Sequence, residues 1–339
     1  MPKRTFRIRE GEPLFDIVSY GRGGPREGGG RLTPEQIQQV RRTVQRAPEV
    51  VVKVLPRNSN DLRSAAKHLD YITRNGALAL AGDSDLAVAA NSGKPLLEEW
   101  DLDIDEDRRQ SGLSPRDGRK APKLIHKLMF SMPPGTPPEK VVTAVRNLAR
   151  EQFALQHRYA FVLHTDEPHP HVHLVMKAVS EQGTRLNISK ATLRTWRAEF
   201  ARHLRLLGVA ANATERAVRG QGESARKDGI YRAGLRGDSS YLRAQAEVVA
   251  SELLKADLGA ETGKQTLLET RRQVAQGWIQ VARRLAEEGY GGLANEARRF
   301  VGGMALPLTD RDQIAMALRQ QAERERDQIQ VHERGSIYR

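Results

Sequence analysis

The period of the hydrophobic positions changes several times between residues 124 and 207, and each change marks an element. Leu124–Met132 is a dense apolar run ended by Pro133-Pro134-Gly135, which predicts a strand. Val141, Val142, Val145, Leu148, Ala149 and Phe153 then recur at helical spacing. Ahead of them Thr136-Pro137-Pro138-Glu139 reads as a helix start, with Thr136 as N-cap, Pro137 at the first helical position and Glu139 three residues on. Tyr159–Leu163 is aromatic and apolar, which predicts a buried strand, and Thr165–Pro170 is turn-like. From His171 the period becomes two: His171, His173, Val175 and Lys177 share one face, and Val172, Leu174, Met176 and Ala178 the other. A helix from about Ser189 follows, with Leu193, Trp196, Phe200, Leu204 and Leu207 on one side and Gly208 closing it.

Upstream, the β-branched run Val50–Leu55, stopped by Pro56, predicts a first, central strand. Asn58–Asp61 supplies N-cap candidates for a helix through Thr73 with the stripe Leu62, Ala65, Ala66, Leu69 and Ile72, and Gly76 suits the left-handed position beyond its end. Residues 77–122 are less regular, acidic around 100–107 and then basic and turn-rich. The order strand, helix, strand, helix, strand, strand, helix predicts an α+β fold, an antiparallel-rich central sheet with packed helices. From Ser239, helical stretches at about 240–258, 265–288, 291–301 and 309–333, separated by glycines and Pro307, predict a C-terminal all-helical module whose role the sequence does not state. The expected division is a flexible basic N-terminal extension (1–48), an α+β domain (49–210), a linker or basic arm (211–238) and the helical domain (239–339). Within the extension, Thr33-Pro34-Glu35-Gln36 opens a short basic helix.

Composition narrows the partner. Fifty-five Lys and Arg against 42 Asp and Glu, net charge +13, point to a polyanion such as nucleic acid. No apolar run approaches the roughly 20 residues of a spanning helix, and Met-Pro-Lys-Arg-Thr-Phe-Arg lacks the apolar core of a secretory signal. Absence of cysteine excludes disulfides and thiolate metal sites and fits a cytoplasmic protein with no membrane insertion.

The chemistry lies in the histidines. Four of the nine fall between His164 and His173. If the two strands there form a hairpin, His164 ends the first beside His171, and His171 and His173 project from one face. Three imidazoles at one sheet edge make a metal site with positions open to a substrate. In a basic protein that site suits a phosphodiester, whose charge a divalent ion neutralises. Asp166 is placed to accept an imidazole N–H, to help deprotonate a nucleophile, or merely to cap the turn. His169 is a further histidine between the presumed ligands, able to replace His164 or to stand behind it. Water as nucleophile makes a nuclease; a serine or tyrosine makes a transferase that keeps the bond energy.

The motif His164-x-Asp166-x-x-x-x-His171-x-His173 followed by an apolar strand resembles the metal-binding motif of conjugative relaxases, in the histidine–hydrophobe–histidine endonuclease superfamily, and within them the plasmid mobilisation group that includes the T-DNA border nuclease. His68-Leu69-Asp70-Tyr71-Ile72-Thr73-Arg74-Asn75-Gly76 is similar to that group's nucleophile motif, and the stretch from His126 to Gly135, with Ser131, resembles its intermediate motif. The resemblance covers roughly residues 50–210, making 49–210 the relaxase domain. It implies that Tyr71 attacks a phosphodiester of single-stranded DNA at an origin of transfer, giving a 5′-phosphotyrosyl adduct, and that His164, His171 and His173 bind a divalent metal, Mg or Mn. It also implies accessory DNA-binding proteins, a type IV secretion coupling protein and a bacterial cytoplasmic location. Arg74, Arg119, Lys120, Ser131 and Lys177 are the candidate DNA contacts. Two rivals remain: a rolling-circle replication initiator, in which the tyrosine usually follows the histidines, and a non-enzymatic, metal-stabilised DNA-binding protein.

Overall fold

The computed structural model describes residues 31–55, 61–83, 94–105, 123–221, 230, 233–234, 236–255, 261 and 263–337. These form two units, one of residues Gln45–Ala213 and one joining the helix before Gln45 to the chain from Thr214 onward.

The first unit is α+β. Its elements are β1 (Val51–Val54), α2 (Leu62–Ile72), β2 (Ala81–Gly82), α3 (Lys94–Glu99), β3 (Ile125–Ser131), α4 (Pro138–Phe153), β4 (Tyr159–His164), β5 (His171–Lys177) and α5 (Lys190–Leu206). The five strands are antiparallel throughout, in the order β1-β3-β5-β4-β2. Period-two patterning puts Leu128, Phe130, Phe161, Val172, Leu174 and Met176 on one face, where α4 and α5 cover them with Val145, Leu148, Phe153, Trp196 and Phe200. Phe130 meets Phe200 edge to face at 5.3 Å between centroids, and Phe153 meets Trp196 at 5.2 Å. The opposite face carries Ile125, Ala160, Val162 and Val175, packed with Ala65, Leu69 and Ile72 of α2 and with Leu96, Leu97 and Trp100. Both faces of the central strands are therefore buried, which is why β3 and β4 read as apolar runs.

Three local expectations are corrected. The run at 50–55 is an edge strand, since β1 pairs with β3 alone. The chain just before it pairs with Asn212, whose carbonyl accepts from Val50 N at 2.9 Å and whose N–H donates to the Pro48 carbonyl at 2.8 Å. Thr136 does not cap α4: its hydroxyl donates back to the Pro133 carbonyl at 2.9 Å, and the helix begins one residue later, after Pro137. Residues 77–122, read as irregular, contribute α3 and the two-residue strand β2, elements too short to show a period. By contrast, Asp61 caps α2 by accepting from Ser64 N at 2.7 Å, and Ser189 forms a full capping box with Thr192 at the start of α5.

The second unit is helical: α1 (Pro34–Val44), α6 (Ser240–Leu254), α7 (Lys264–Glu287), α8 (Gly291–Gly302) and α9 (Asp310–Ile337). The reciprocal Thr33–Gln36 bonds (2.9 and 3.2 Å) form the expected capping box on α1. Where the sequence suggested a flexible extension, Leu32, Ile37 and Val40 pack into one core with Val274, Trp278, Val281 and Leu285 of α7 and Leu293 and Ala297 of α8. The Trp278 indole donates to the Val218 carbonyl at 2.9 Å. Among the described residues no helix is long and apolar enough to cross a membrane.

His126 faces the α4–α5 side of the sheet, with Nε2 3.1 Å from the Leu186 carbonyl. Burial pushes its pKa down to about 4. The unfolded chain therefore takes up a proton below about pH 6.5 that folded His126 refuses, so stability falls as pH falls from 6.5 towards 4. Urea unfolding should show a loss of about 2 kcal/mol from this group between pH 6.5 and 4.5, and His126→Gln should flatten that slope.

Candidate metal and nucleophile site

The strand register assembles the histidines. His164, the last residue of β4, lies directly opposite His171, the first of β5, and Ser131, the last of β3, lies opposite His171 on the other side. His173 sits two pairs further in, between Met129 and Val162. All of these belong to the face that α2 covers, because residues two apart on a strand share a side. The three rings converge with centroid separations of 5.1 Å (His164–His171), 4.7 Å (His164–His173) and 5.2 Å (His171–His173). One nitrogen from each lies within 4.8 Å of the others.

The protons on these rings follow from their partners. His164 Nε2 is 2.6 Å from the Ile72 carbonyl and His171 Nδ1 is 3.0 Å from the His169 carbonyl. A carbonyl only accepts, so these nitrogens carry the hydrogens and turn His164 Nδ1 and His171 Nε2 into lone-pair donors. His173 Nδ1 is buried with no hydrogen-bond partner among the described residues. Burial lowers the pKa of His164, and pushes that of His173 down to about 3, helped by the neighbouring His164, His171, His68 and Arg74. Three imidazoles whose ring nitrogens lie within 4.8 Å of one another, one of them an orphaned buried nitrogen, are a donor set that fits a divalent cation. The residue behind His171 is His169, which contributes its main-chain carbonyl.

Helix α2 brings Tyr71 to this cluster. After Thr73 at its C-cap, Arg74 and Asn75 both take φ +55° and Gly76 takes +87°. Two successive non-glycine residues in the left-handed region cost roughly 1–2 kcal/mol each. The turn is held by Asn75 N donating to the Asp70 carbonyl at 2.8 Å, Leu78 N to the Thr73 carbonyl at 2.8 Å, and Thr73 Oγ1 to the Leu69 carbonyl at 2.9 Å. Tyr71 is 53% exposed. Its ring stacks on His68, one turn earlier, at 6.4 Å between centroids, and His68 meets His173 edge-on at 6.3 Å. An open cavity of about 400 Å³ beside Tyr71 is lined by Lys67, Asp70, Arg74 and Asn75.

The remaining candidates divide. Asp166, offered as acceptor for an imidazole N–H, pairs with the Arg74 guanidinium, and its nearest approach to His164 Nδ1 is 4.0 Å. The acceptor behind His164 is the Ile72 carbonyl, which no side-chain motif could have revealed. Arg74 holds the Asp166 carboxyl below the usual carboxylate range. Ser131 is buried beside His171, its hydroxyl directed to the Met132 carbonyl at 3.4 Å. Lys177 stands six residues along β5, about 20 Å from His171, buried and facing Asp105 (3.6 Å) and Glu181 (3.7 Å); the structure does not bring it to the histidines. Arg119 and Lys120 lie outside the described residues.

Residues 88–206 match the family model "Relaxase: MobA/VirD2-like, nuclease domain", a span that contains Ser131 and the three histidines and begins after Tyr71. The T-DNA border endonuclease VirD2 of Rhizobium radiobacter is 28% identical over 196 residues, 52% of this chain and 44% of that protein. Its counterpart from Agrobacterium fabrum (strain C58) is 26% identical over 192 residues, 51% and 41% respectively. The matched regions thus span less than half the length of these curated relatives. A manganese-bound crystal structure of the MobM relaxase domain with plasmid oriT DNA aligns over 56% of this chain and 98% of its own at 14% identity, with a TM-score of 0.37, too distant a likeness to assign anything further. Residues 88–206, which carry the histidine strands, are thus similar to the nuclease domain of MobA/VirD2-like relaxases.

Proposed function

We propose that the chain is an origin-of-transfer relaxase and that residues 49–210 are its DNA-nicking domain, with Tyr71 as nucleophile. The observation that carries the reading is the link between Tyr71 and the histidines: the carbonyl of Ile72, the next residue, accepts from the ring of His164. A half-exposed phenol on a pinned helix end, beside three clustered imidazoles, suits attack on a strand laid across the sheet edge. His164, His171 and His173 would hold the divalent ion, Mg or Mn. Such an ion supplies charge neutralisation at the non-bridging oxygens of the scissile phosphate.

In this reading the Tyr71 hydroxyl oxygen forms a bond to phosphorus while the bond from phosphorus to the 3′ oxygen breaks. The phenol proton leaves to solvent and the departing 3′ oxygen takes one up, so the products are a 5′-phosphotyrosyl adduct and a free 3′ hydroxyl. No bond energy is lost to water, and the same site can reverse the step and rejoin the strand. Ser131, next to His171, is proposed to contact the bound strand. The net charge of +13 favours single-stranded DNA as partner, held along its backbone. Accessory proteins at the origin, a type IV secretion coupling protein and a bacterial cytoplasmic location rest on the family resemblance alone. Residues 211–238 are proposed as a linker or basic arm, and 239–339 as a helical domain outside the nicking chemistry. A rolling-circle initiator is disfavoured because Tyr71 precedes the histidines in the chain.

Incubation with single-stranded oligonucleotides carrying candidate origin sequence, with Mn or with chelator, tests the reading. A metal-dependent adduct that survives denaturation is expected, absent from Tyr71→Phe. An adduct that persists in Tyr71→Phe assigns the nucleophile elsewhere, and a free 5′ phosphate with no adduct means attack by water. In calorimetric titration with Mn, His173→Ala should weaken binding on the order of 100-fold or more; unchanged affinity would remove the histidines from the metal site. Oligonucleotide affinity should fall steeply between 50 and 200 mM salt, by about 10³-fold if some six phosphates are contacted.

A further inference from the structure

Arg74 makes contacts that a loose phosphate-binding arginine does not need. Its guanidinium carbon lies 5.3 Å from the centroid of the Tyr71 ring. Nη1 donates to the main-chain carbonyl of Tyr71 at 3.3 Å, Nη2 lies 3.4 Å from His164 Nδ1, and Nη2 also pairs with the Asp166 carboxylate. One planar fork thus touches the tyrosine backbone, faces the tyrosine ring and is anchored on the strand-end loop after His164. The backbone is bent to allow it: Arg74 sits at φ +55°, with Asn75 at the same angle, a conformation L side chains rarely adopt. Strain retained at such a position, next to a candidate nucleophile, signals a side chain whose placement matters.

We propose that Arg74 is the positioning residue of Tyr71 and that Asp166 acts through Arg74, as its anchor, rather than as proton acceptor or orienter of an imidazole. This rests on the reading of Tyr71 as nucleophile. A guanidinium over the aromatic face restricts the ring, and its charge is close enough to favour the phenolate that develops as the tyrosine attacks and, in rejoining, departs. The same charge faces the lone pair of His164 and opposes a cation held there. Arg74 therefore has two opposite effects, which separates its role from a structural one.

The test uses the full chain with Arg74→Gln, Arg74→Lys, Asp166→Asn and the Arg74→Gln/Asp166→Asn double variant. At saturating oligonucleotide, Arg74→Gln should slow adduct formation about tenfold or more with little change in oligonucleotide affinity, and should bind Mn several-fold more tightly by calorimetry. A merely structural arginine would weaken both. Arg74→Lys, which keeps the charge without the fork, should recover part of the rate. Asp166→Asn should resemble Arg74→Gln, and the double variant should be no slower than Arg74→Gln alone. Multiplicative losses in the double variant would make Asp166 an independent participant. Lost oligonucleotide affinity with an unchanged saturated rate would make Arg74 a phosphate contact. A second arm needs no turnover: with fluorotyrosine incorporated, the ¹⁹F signal assigned by its absence in Tyr71→Phe should move towards the free tyrosine position in both Arg74→Gln and Asp166→Asn. An unmoved signal overturns the proposal. If the wild-type chain forms no adduct with any oligonucleotide, the relaxase reading fails and the fluorine signal alone decides whether Arg74 positions Tyr71.

Discussion

The hydrogen bond from His164 Nε2 to the Ile72 carbonyl, 2.6 Å long and buried, is the interaction on which the rest of the site depends. A helix C-terminus leaves its last carbonyls without intrahelical partners. In α2 one of them is satisfied by a ring on the sheet, so a local need of the helix is met by a group that itself needs its tautomer fixed. The bond sets which nitrogen of His164 keeps its lone pair, and it ties the main chain next to Tyr71 to the strand end that carries the imidazole. The candidate nucleophile and the candidate ligands are thereby held by one contact rather than by two separate frameworks.

That contact works because the sheet is rigid where it is made. Both faces of β3, β4 and β5 are buried: Phe130, Phe161 and Leu174 on one side are gripped by α4 and α5, while Ile125, Val162 and Val175 on the other are covered by α2 and by Trp100 and its neighbours. Histidines emerging at the end of such strands have little freedom. Burial also keeps His164 and His173 neutral, the protonation state in which an imidazole can ligate. The same desolvation that organises the core thus keeps two of the candidate ligands able to bind a cation.

Much of the layout was legible in the chain. Alternation from His171 to Lys177 places His171 and His173 together whatever the strand packs against, and the apolar stripe of α2 with Asp61 before it predicts that helix and its start. Position in the sheet was not legible: Val50–Leu55 reads as central by composition, yet it lies at the edge, because strand order is set by pairing between distant segments and β1 pairs with β3 alone. Helix α1 likewise reads as part of a flexible extension until Leu32, Ile37 and Val40 meet Trp278 and Leu293. A short amphipathic segment carries no record of its partner.

By itself the sequence determined the identities and the periods: three histidines able to share one face of a hairpin, a tyrosine on the last turn of a helix, and a basic excess suited to a polyanion. Only the tertiary structure decided which groups serve which. Asp166 lies two residues from His164, yet its carboxylate goes to Arg74, and the partner of His164 is a main-chain carbonyl 92 residues away. Lys177 shares a face with the histidines by period, yet sits at the far end of the strand between Asp105 and Glu181. The physical reason is the same in each case. Alternation along a strand and spacing along a helix are local rules, whereas the pairing of a buried donor or charge is settled by whichever group the packing of distant segments brings within about 3 Å.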